Sequence, residues 1–459
     1  MAQPRVVVDI TTLQKWRRFP VGIVRTQLEF TKYCLYELDS SGFIAFDDSK
    51  SMISNVNKSD VSALIQEYEN ESWEEAYTPS KVRDIGRIKS IRKLYAIIKR
   101  KEYLRLIKAV YVRTPTKIRN PVRRVLEPIL RKKIEFLTAN SSASISEVLY
   151  SPEVFLAEKS NAVLSASDIV VCMGLDWDFS NYNILMELKK IHKFKVVTCF
   201  YDAIPLSHPN LVNSSYFGKV FFAHLYKLNY LSDKVFCISN FSKKSYEKIA
   251  KETRFSYIPN LKTIYLGDDV KKKTTSKSAT DGSGYALYVS TIEARKNHVR
   301  LLKVWKKLIE KFGGNTPKLI LVGMKGWGVD EFYELYNSCK KLRCFVEIRS
   351  NVSDNELSGL YSQAKFCVFP SLVEGWGLGA AESLSYGKVC LISDCEALYE
   401  ATQGLMPRLA NDTSSWFEEI SKLLDEPRVL QDLEAKIKNE FVPRTWNEFC
   451  RDFYKFIVG

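Results

Sequence analysis

The stretch KFCVFPSLVEGWGLGAAESLSYGKVCLIS, residues 365–393, decides the fold. It opens on a short apolar run, turns through Gly375, Gly377 and Gly379, and ends on a second apolar run, KVCLIS. That order reads as strand, glycine-rich turn, helix, strand, the repeating unit of a parallel α/β sheet. A strand ending at Ser371 and a helix starting near Leu378 put Glu374 on the turn and Glu382 in the first helical turns, both facing one crevice. Gly375 and Gly377 let backbone N–H groups approach an anion, and the helix N-terminus adds its partial positive charge. Two carboxylates flanking a phosphate site suggest the hydroxyl groups of a sugar as their partners.

Working outward, the same alternation fills most of the chain. RVVVDI (5–10), DIVVCM (168–173), FKVVTCFYD (194–202) and KVFCIS (234–239) are short, β-branched and almost continuously apolar, as in a sheet covered on both faces. YFGKVFFAHLYKLNYLSD (216–233) supplies one helical crossover, and SKKSYEKIAKE begins another after a cap at Ser239 or Asn240. Residues 268–284, DDVKKKTTSKSATDGSG, are polar and poor in apolar residues and read as a linker. A second series follows: YALYVST (285–291), KLILVG (318–323), CFVEIR (344–349), KFCVFPS and KVCLIS. Two doubly wound domains are expected, 1–267 and 285–440, with residues 441–459 a last helix returning to the first. In such sheets ligands bind outside the carboxyl ends of the strands.

EGWGLGAAESLSYGKVCLIS resembles the Glu-x7-Glu segment of retaining glycosyltransferases, specifically the EGFGLPxxEAxAxGxPVI stretch of glycosyltransferase family 4. VSTIEARKN (289–297) is similar to the VGTIEPRKN motif of mannosyltransferase-like members, LVGMKGWG (321–328) to LVGxxGW, and VSDNELSGLYSQAKFCVFPS (352–371) to VSDEELxxLYxxAxxxVxPS. In the first domain RRFPVGIVRTQ (17–27) resembles a TGIxR loop, FYDAIPLSHP (200–209) an HDxIPxxxPE element and CISNFSKKS (237–245) a VSxFSxxx element. The resemblance implies the GT-B architecture, two Rossmann-like domains facing a cleft. It also implies sugar transfer with retention from a nucleotide diphosphate donor, with neither cofactor nor metal. On that reading Glu374 faces the sugar, Lys296 touches the diphosphate with Arg295 beside it, and Glu382 holds the ribose. Ser290, Gly375, Trp376, Gly377 and Leu378 line the donor site, Gly22 closes it from the opposite domain, and Tyr201 and Asp202 lie on the acceptor side.

Three positions depart from the family pattern. Ser290 stands where many members carry arginine, which leaves charge compensation to Lys296 and Arg295. Tyr201 replaces the histidine before Asp202, and Gly379 replaces the proline that usually starts the helix. Asp176 and Asp178 form a DWD triplet, but it follows a strand of the acceptor-side domain and reads as structural or acceptor-contacting. The four histidines (His192, His208, His224, His298) show no ligand spacing and read as surface or packing residues. The ten cysteines are scattered without a C-x-x-C pair, and several sit in strand-like runs, as buried free thiols do.

The net charge of +15 is local: residues 81–133 hold 19 Lys or Arg against three acids. Ile88, Ile91, Leu94, Tyr95 and Ile98 recur there at helical spacing, so a basic amphipathic helical insertion is expected over about 81–137. It suits an anionic membrane surface; a hairpin packed on the first domain is the plainer alternative, and nucleic-acid binding a third. The N-terminus lacks a signal-peptide pattern and no stretch reaches the ~18 apolar residues of a spanning helix, so a cytoplasmic enzyme at the inner face of the membrane is expected. The expected partners are a nucleotide-sugar donor, mannose from GDP-mannose being favoured by the TIEPRKN likeness, and a glycan or lipid-linked acceptor. A phosphorylase or sugar-phosphate synthase on the same fold is the enzymatic alternative, and a basic nucleic-acid- or membrane-binding protein without catalysis the other.

Overall fold

The computed structural model describes residues 3–16, 18–20, 22–47, 52–70, 160–212, 215–269 and 284–459. The basic segment 81–137 lies outside them.

The first sheet is built from β1 (Arg5–Asp9), β2 (Ser41–Phe46), β3 (Ile53–Val56), β4 (Asp168–Cys172), β5 (Lys195–Phe200), β6 (Lys234–Cys237) and β7 (Asn260–Thr263). Its order is β3-β2-β1-β4-β5-β6-β7, parallel except for the antiparallel edge strand β3. The second sheet holds β8 (Tyr285–Val289), β9 (Lys318–Val322), β10 (Val346–Arg349), β11 (Phe366–Phe369), β12 (Cys390–Ser393) and β13 (Arg408–Leu409), in the order β10-β9-β8-β11-β12-β13. In both, the chain winds outward in one direction from a central strand and then restarts on its other side. The switch points are therefore β1/β4 and β8/β11.

The apolar runs read from sequence are the central strands, and they are buried on both faces: Val6, Val8, Val170, Val171, Leu287, Leu319, Val368 and Leu391 are all inaccessible or nearly so. Helices cover the faces. His298–Phe312 buries Leu301, Leu302, Val304, Trp305 and Leu308 against the second sheet, each contributing about 1.5–3 kcal/mol by removal from water. Asn240–Glu252 begins as expected at Ser239, whose side chain accepts from the Ser242 N–H. The 215–231 helix matches the expected crossover within two residues.

Both sheets belong to one compact unit. The helix Trp446–Val458 packs on the first sheet's layer: Phe453 lies 4.6 Å from the Phe30 ring and 4.4 Å from Phe236, and Lys234 Nζ donates to the Phe456 carbonyl at 2.8 Å. A Thr445/Glu448 capping box starts that helix. Asp268 and Asp269, the first two residues of the expected linker, are tied to it, accepting from the backbone N–H groups of Arg444 (3.1 Å) and Trp446 (2.7 Å). Among the described residues no helix is long and apolar enough to cross a membrane.

Candidate functional site

The carboxyl ends of β8 and β11 are neighbours at the second switch point, so the loops leaving them meet. After β8 the chain passes Ser290 to Glu293, makes a short 3-10 turn at Ala294–Lys296, and reverses at Asn297 in the left-handed region. After β11 it runs through Ser371 to Gly377 and enters the helix Leu378–Ser385. Backbone and side-chain bonds stitch the loops together: Leu372 N–H donates to the Arg295 carbonyl at 2.8 Å, and Tyr288 hydroxyl to the Lys296 carbonyl at 2.8 Å.

This stitching brings three of the expected residues into one cluster. Glu374, only 4 % exposed, receives Arg295 on Oε2 at 2.6 Å and Lys296 on Oε1. Arg295 is shared, since its Nε also meets Glu293 Oε1 at 2.6 Å. Burial alone would raise the Glu374 carboxyl, but the two cations outweigh it and hold its pKa at about 2. Lys296 is lowered from its ordinary value by burial and by the adjacent Arg295, against the pull of Glu374. The result is a buried, ionised carboxylate with two fixed cations.

Gly375 is one of the points where the second domain touches the first. Its carbonyl accepts from Ser239 Oγ at 2.6 Å and Ser242 Oγ at 3.2 Å, and Ser242 also donates to the Tyr201 carbonyl at 2.6 Å. A Cβ on Gly375 would stand 2.6 Å from the Tyr201 oxygen. The freedom glycine supplies here thus admits the backbone of the opposite domain. Gly377 has φ +114° and its missing Cβ leaves room for Leu398. Gly379, in the position of the family's usual proline, packs under the Phe369 ring, 2.8 Å from where a Cβ would lie. Gly375→Ala is expected to cost about 1–3 kcal/mol of stability by overpacking. Gly22→Ala, where nothing lies within 4 Å, meets only the strain of φ +50°, about 1–2 kcal/mol; urea unfolding of both variants checks the ranking.

Asp202 borders this cluster, and the charges of Arg295, Glu374 and Lys296 all act on it; the other expected residues fall into separate surroundings. Asp202 caps a turn through the Ile204 N–H at 2.9 Å and feels Arg295; burial raises its carboxyl. Tyr201 turns its hydroxyl inward to the Met173 carbonyl at 2.5 Å. Ser290 lies 3.4 Å from His298 Nε2. Trp376 points away from the Glu374 cluster and stacks on Tyr265 at 5.2 Å. Glu382 accepts from the Tyr361 hydroxyl at 2.8 Å; burial pushes its carboxyl up to about 7, against that bond and nearby Arg25.

Arg25 and Glu293 are contributions that the sequence reading quoted inside motifs without singling out. Arg25, three residues past Gly22 in GIVRTQ, reaches across to Asp354 with contacts of 2.5 and 2.7 Å, tying the first domain to the helix Asp354–Gln363 of the second. The pair lies 329 positions apart in sequence, so only the fold brings it together. Asp176 is buried and bonded to the Tyr182 hydroxyl (2.7 Å) and the Gly174 N–H (3.2 Å), a structural placement. His224 and His298 are packed among aromatic rings, and eight of the ten cysteines are buried.

Residues 269–439 match the family described as Glycosyl transferases group 1. O-antigen chain mannosyltransferase B of Escherichia coli is 29% identical over 167 residues, 36% of this chain and 39% of that protein. Serotype-specific mannosyltransferase WbdA of Escherichia coli is 26% identical over 238 residues, 47% of this chain and 28% of that protein. The chain thus spans well under half the length of these curated relatives. The solved structure of a UDP-forming alpha,alpha-trehalose-phosphate synthase from Burkholderia xenovorans superposes with a TM-score of 0.51 at 13% identity, over 64% of this chain and 74% of that one, and shares its fold. With two doubly wound sheets meeting at Gly375 and a buried Glu374 between two cations, the chain has the GT-B fold, carries a glycosyl transferases group 1 domain at residues 269–439, and is homologous to the O-antigen mannosyltransferases of Escherichia coli.

Proposed function

We propose that this protein is a retaining glycosyltransferase of family 4 that moves a sugar from a nucleotide diphosphate to a glycan or glycolipid hydroxyl, without a metal, in cell-surface polysaccharide synthesis. The observation that carries the reading is the Glu374–Arg295–Lys296 cluster beside the N-terminus of the helix Leu378–Ser385. The first N–H groups of a helix have no intrahelical acceptor, so Leu378 and Gly379 offer donors to a diphosphate, and Lys296 adds a fixed positive charge. Such charge stabilises the leaving group as its bond to the anomeric carbon breaks. The acceptor oxygen bonds to that carbon on the same face, and the departing phosphate oxygen takes the acceptor's proton. Glu374, already ionised, orients sugar hydroxyls. Mannose from GDP-mannose is the favoured donor, supported by the TIEARKN likeness and by the names of the two Escherichia coli relatives.

Glu382 is assigned to the ribose hydroxyls, and its raised pKa makes that testable. As the carboxylate it accepts from hydroxyls, so nucleotide affinity should grow as pH rises through about 7. Thermal unfolding with GDP, UDP, dTDP and CMP is expected to show a shift with one of them, larger at pH 8 than at pH 6. At 100 times the dissociation constant the shift corresponds to about 2.7 kcal/mol. In Glu382→Gln the shift should shrink and lose its pH dependence. No shift with any nucleotide, from folded protein, sinks the reading.

The basic segment 81–133 is proposed to hold the enzyme against an anionic membrane. Co-flotation with phosphatidylglycerol vesicles that weakens steadily with salt is the expected result; binding to duplex DNA instead would reject it.

A further inference from the structure

A cavity of about 1100 Å³ lies between the two domains. None of Glu374, Arg295, Lys296 or Glu382 lines it. Its wall instead holds Trp376, Tyr265 and Tyr399, together with five basic and five acidic side chains. The fixed charges therefore balance, which disfavours a strongly anionic or cationic occupant.

Two buried donors in that wall have no partner among the described residues: the Trp376 indole N–H and the Arg444 Nε–H. Trp376 itself is 7 % exposed, so its N–H is shielded from bulk water yet makes no bond among the described residues, a condition that ordinarily costs free energy. The remaining atoms around it are engaged: Tyr265 hydroxyl accepts from Asn240 at 2.7 Å, Arg444 pairs with Asp452 at 2.6 Å, and Glu400 accepts from the Asn240 N–H at 2.7 Å. Lys244 and Arg451 have no ion pair among the described residues and offer further donors.

We propose that this cavity is a binding site for a neutral oligosaccharide, separate from the transfer cleft. A pyranose ring presents a C–H face that packs on Tyr399 or Tyr265. Its hydroxyl oxygens accept from Lys244 and Arg451, the exposed donors of the wall, and its hydroxyl protons reach Glu396 and the free oxygen of Glu448. A volume of about 1100 Å³ is just above the usual range of small-ligand pockets, about 300–1,000 Å³, and accommodates several sugar units. Trp376 and Glu374 are two residues apart on one turn, so an occupant here touches the loop that bears the proposed transfer residues. The site stands on the cavity and its unpaired donors and does not depend on the donor assignment above.

Saturation-transfer NMR with mannotetraose and maltotetraose as separate probes, and inorganic phosphate as competitor, tests the site. Wild type and Glu374→Gln are expected to bind one tetrasaccharide equally, unaffected by phosphate. Tyr399→Ala and Arg451→Ala, both exposed positions that need not disturb the core, should each weaken binding about fivefold, the worth of one ring or donor contact. Their thermal shift with nucleotide should stay as in wild type, which shows that they are folded. The proposal is overturned if neither tetrasaccharide binds at millimolar concentration, if binding vanishes in Glu374→Gln while surviving Tyr399→Ala, or if phosphate displaces the sugar.

Discussion

Glu374→Gln is expected to lower transfer about 10²–10³-fold, the usual cost of removing one preorganised polar group from a transition-state site. It should also destabilise the protein. Arg295 keeps Glu293, but Lys296 loses its acid partner inside a poorly hydrated wall, and breaking a buried pair from one side is costly. The pH dependence follows from the depressed carboxyl. The Glu374 pKa falls from an ordinary 4.5 to about 2 on folding, so its stabilisation is complete above 4.5 and disappears as pH falls toward 2. The difference is worth about 3 kcal/mol at neutral pH. Urea unfolding of both proteins between pH 7 and pH 2 should give a gap near that size at pH 7 that closes on acidification. A gap constant with pH would mean that Glu374 is not the anchored carboxylate.

Lys296→Met carries the second large effect. The ammonium faces Glu374 in the free enzyme and is the cation placed to meet negative charge on a departing diphosphate. Charge that develops during bond breaking is stabilised only in the transition state, so the loss should fall on kcat, about 10²–10³-fold, with a smaller change in KM. Stability should respond differently. Burial and Arg295 already oppose the Lys296 charge, and Arg295 still faces Glu374, so the single variant should lose stability, because the carboxylate gives up one of its two cations, but less than Glu374→Gln does. Combined with Glu374→Gln, it removes the unpaired cation. The double variant should thus be more stable than Glu374→Gln alone, a coupling expected of side chains in direct contact. Steady-state kinetics with the donor named by the nucleotide screen, and denaturation of the three variants, check both halves. A KM effect without a kcat effect would assign Lys296 to ground-state binding only.

Much of this could be read along the chain because central parallel strands announce themselves. VVVD, DIVVC, LILV and FCVF are buried on both faces and appear as unbroken apolar runs. The strands that escaped notice are edge or near-edge pieces: ISNV, NLKT and the two-residue Arg408–Leu409 are half exposed and carry no such run. SGFIAF of β2 is buried only over its last four residues and opens on Ser-Gly, which shortens its signal. The residues of the candidate site were legible as motif members, since glycines, Glu374 and the Arg295–Lys296 pair occur in recognisable strings. Their pairing was not. Nothing along the sequence says that Arg295 lies between Glu293 and Glu374, that Arg25 meets Asp354, or that Trp376 leaves the cluster to stack on Tyr265. Those contacts come from the winding of two sheets, which sets distant loops side by side.

The helix Trp446–Val458 has a consequence for how the molecule is made. Phe449, Phe453, Phe456 and Ile457 are buried, Phe453 against Phe30 and Phe236 and Phe449 against Phe236, so the layer built on the first sheet is finished by residues that leave the ribosome after the entire second sheet. A nascent chain that has emerged through residue 440 already contains every strand of the first sheet, yet Phe30 and Phe236 still lack their covering aromatic rings. Of these two domains, the one synthesised first is the one completed last. The usual order, in which an N-terminal domain folds while the next is being translated, is replaced by closure of the two halves together. Genetic separation of the halves at the crossover would leave one fragment with an open wall and the other with an orphaned amphipathic helix.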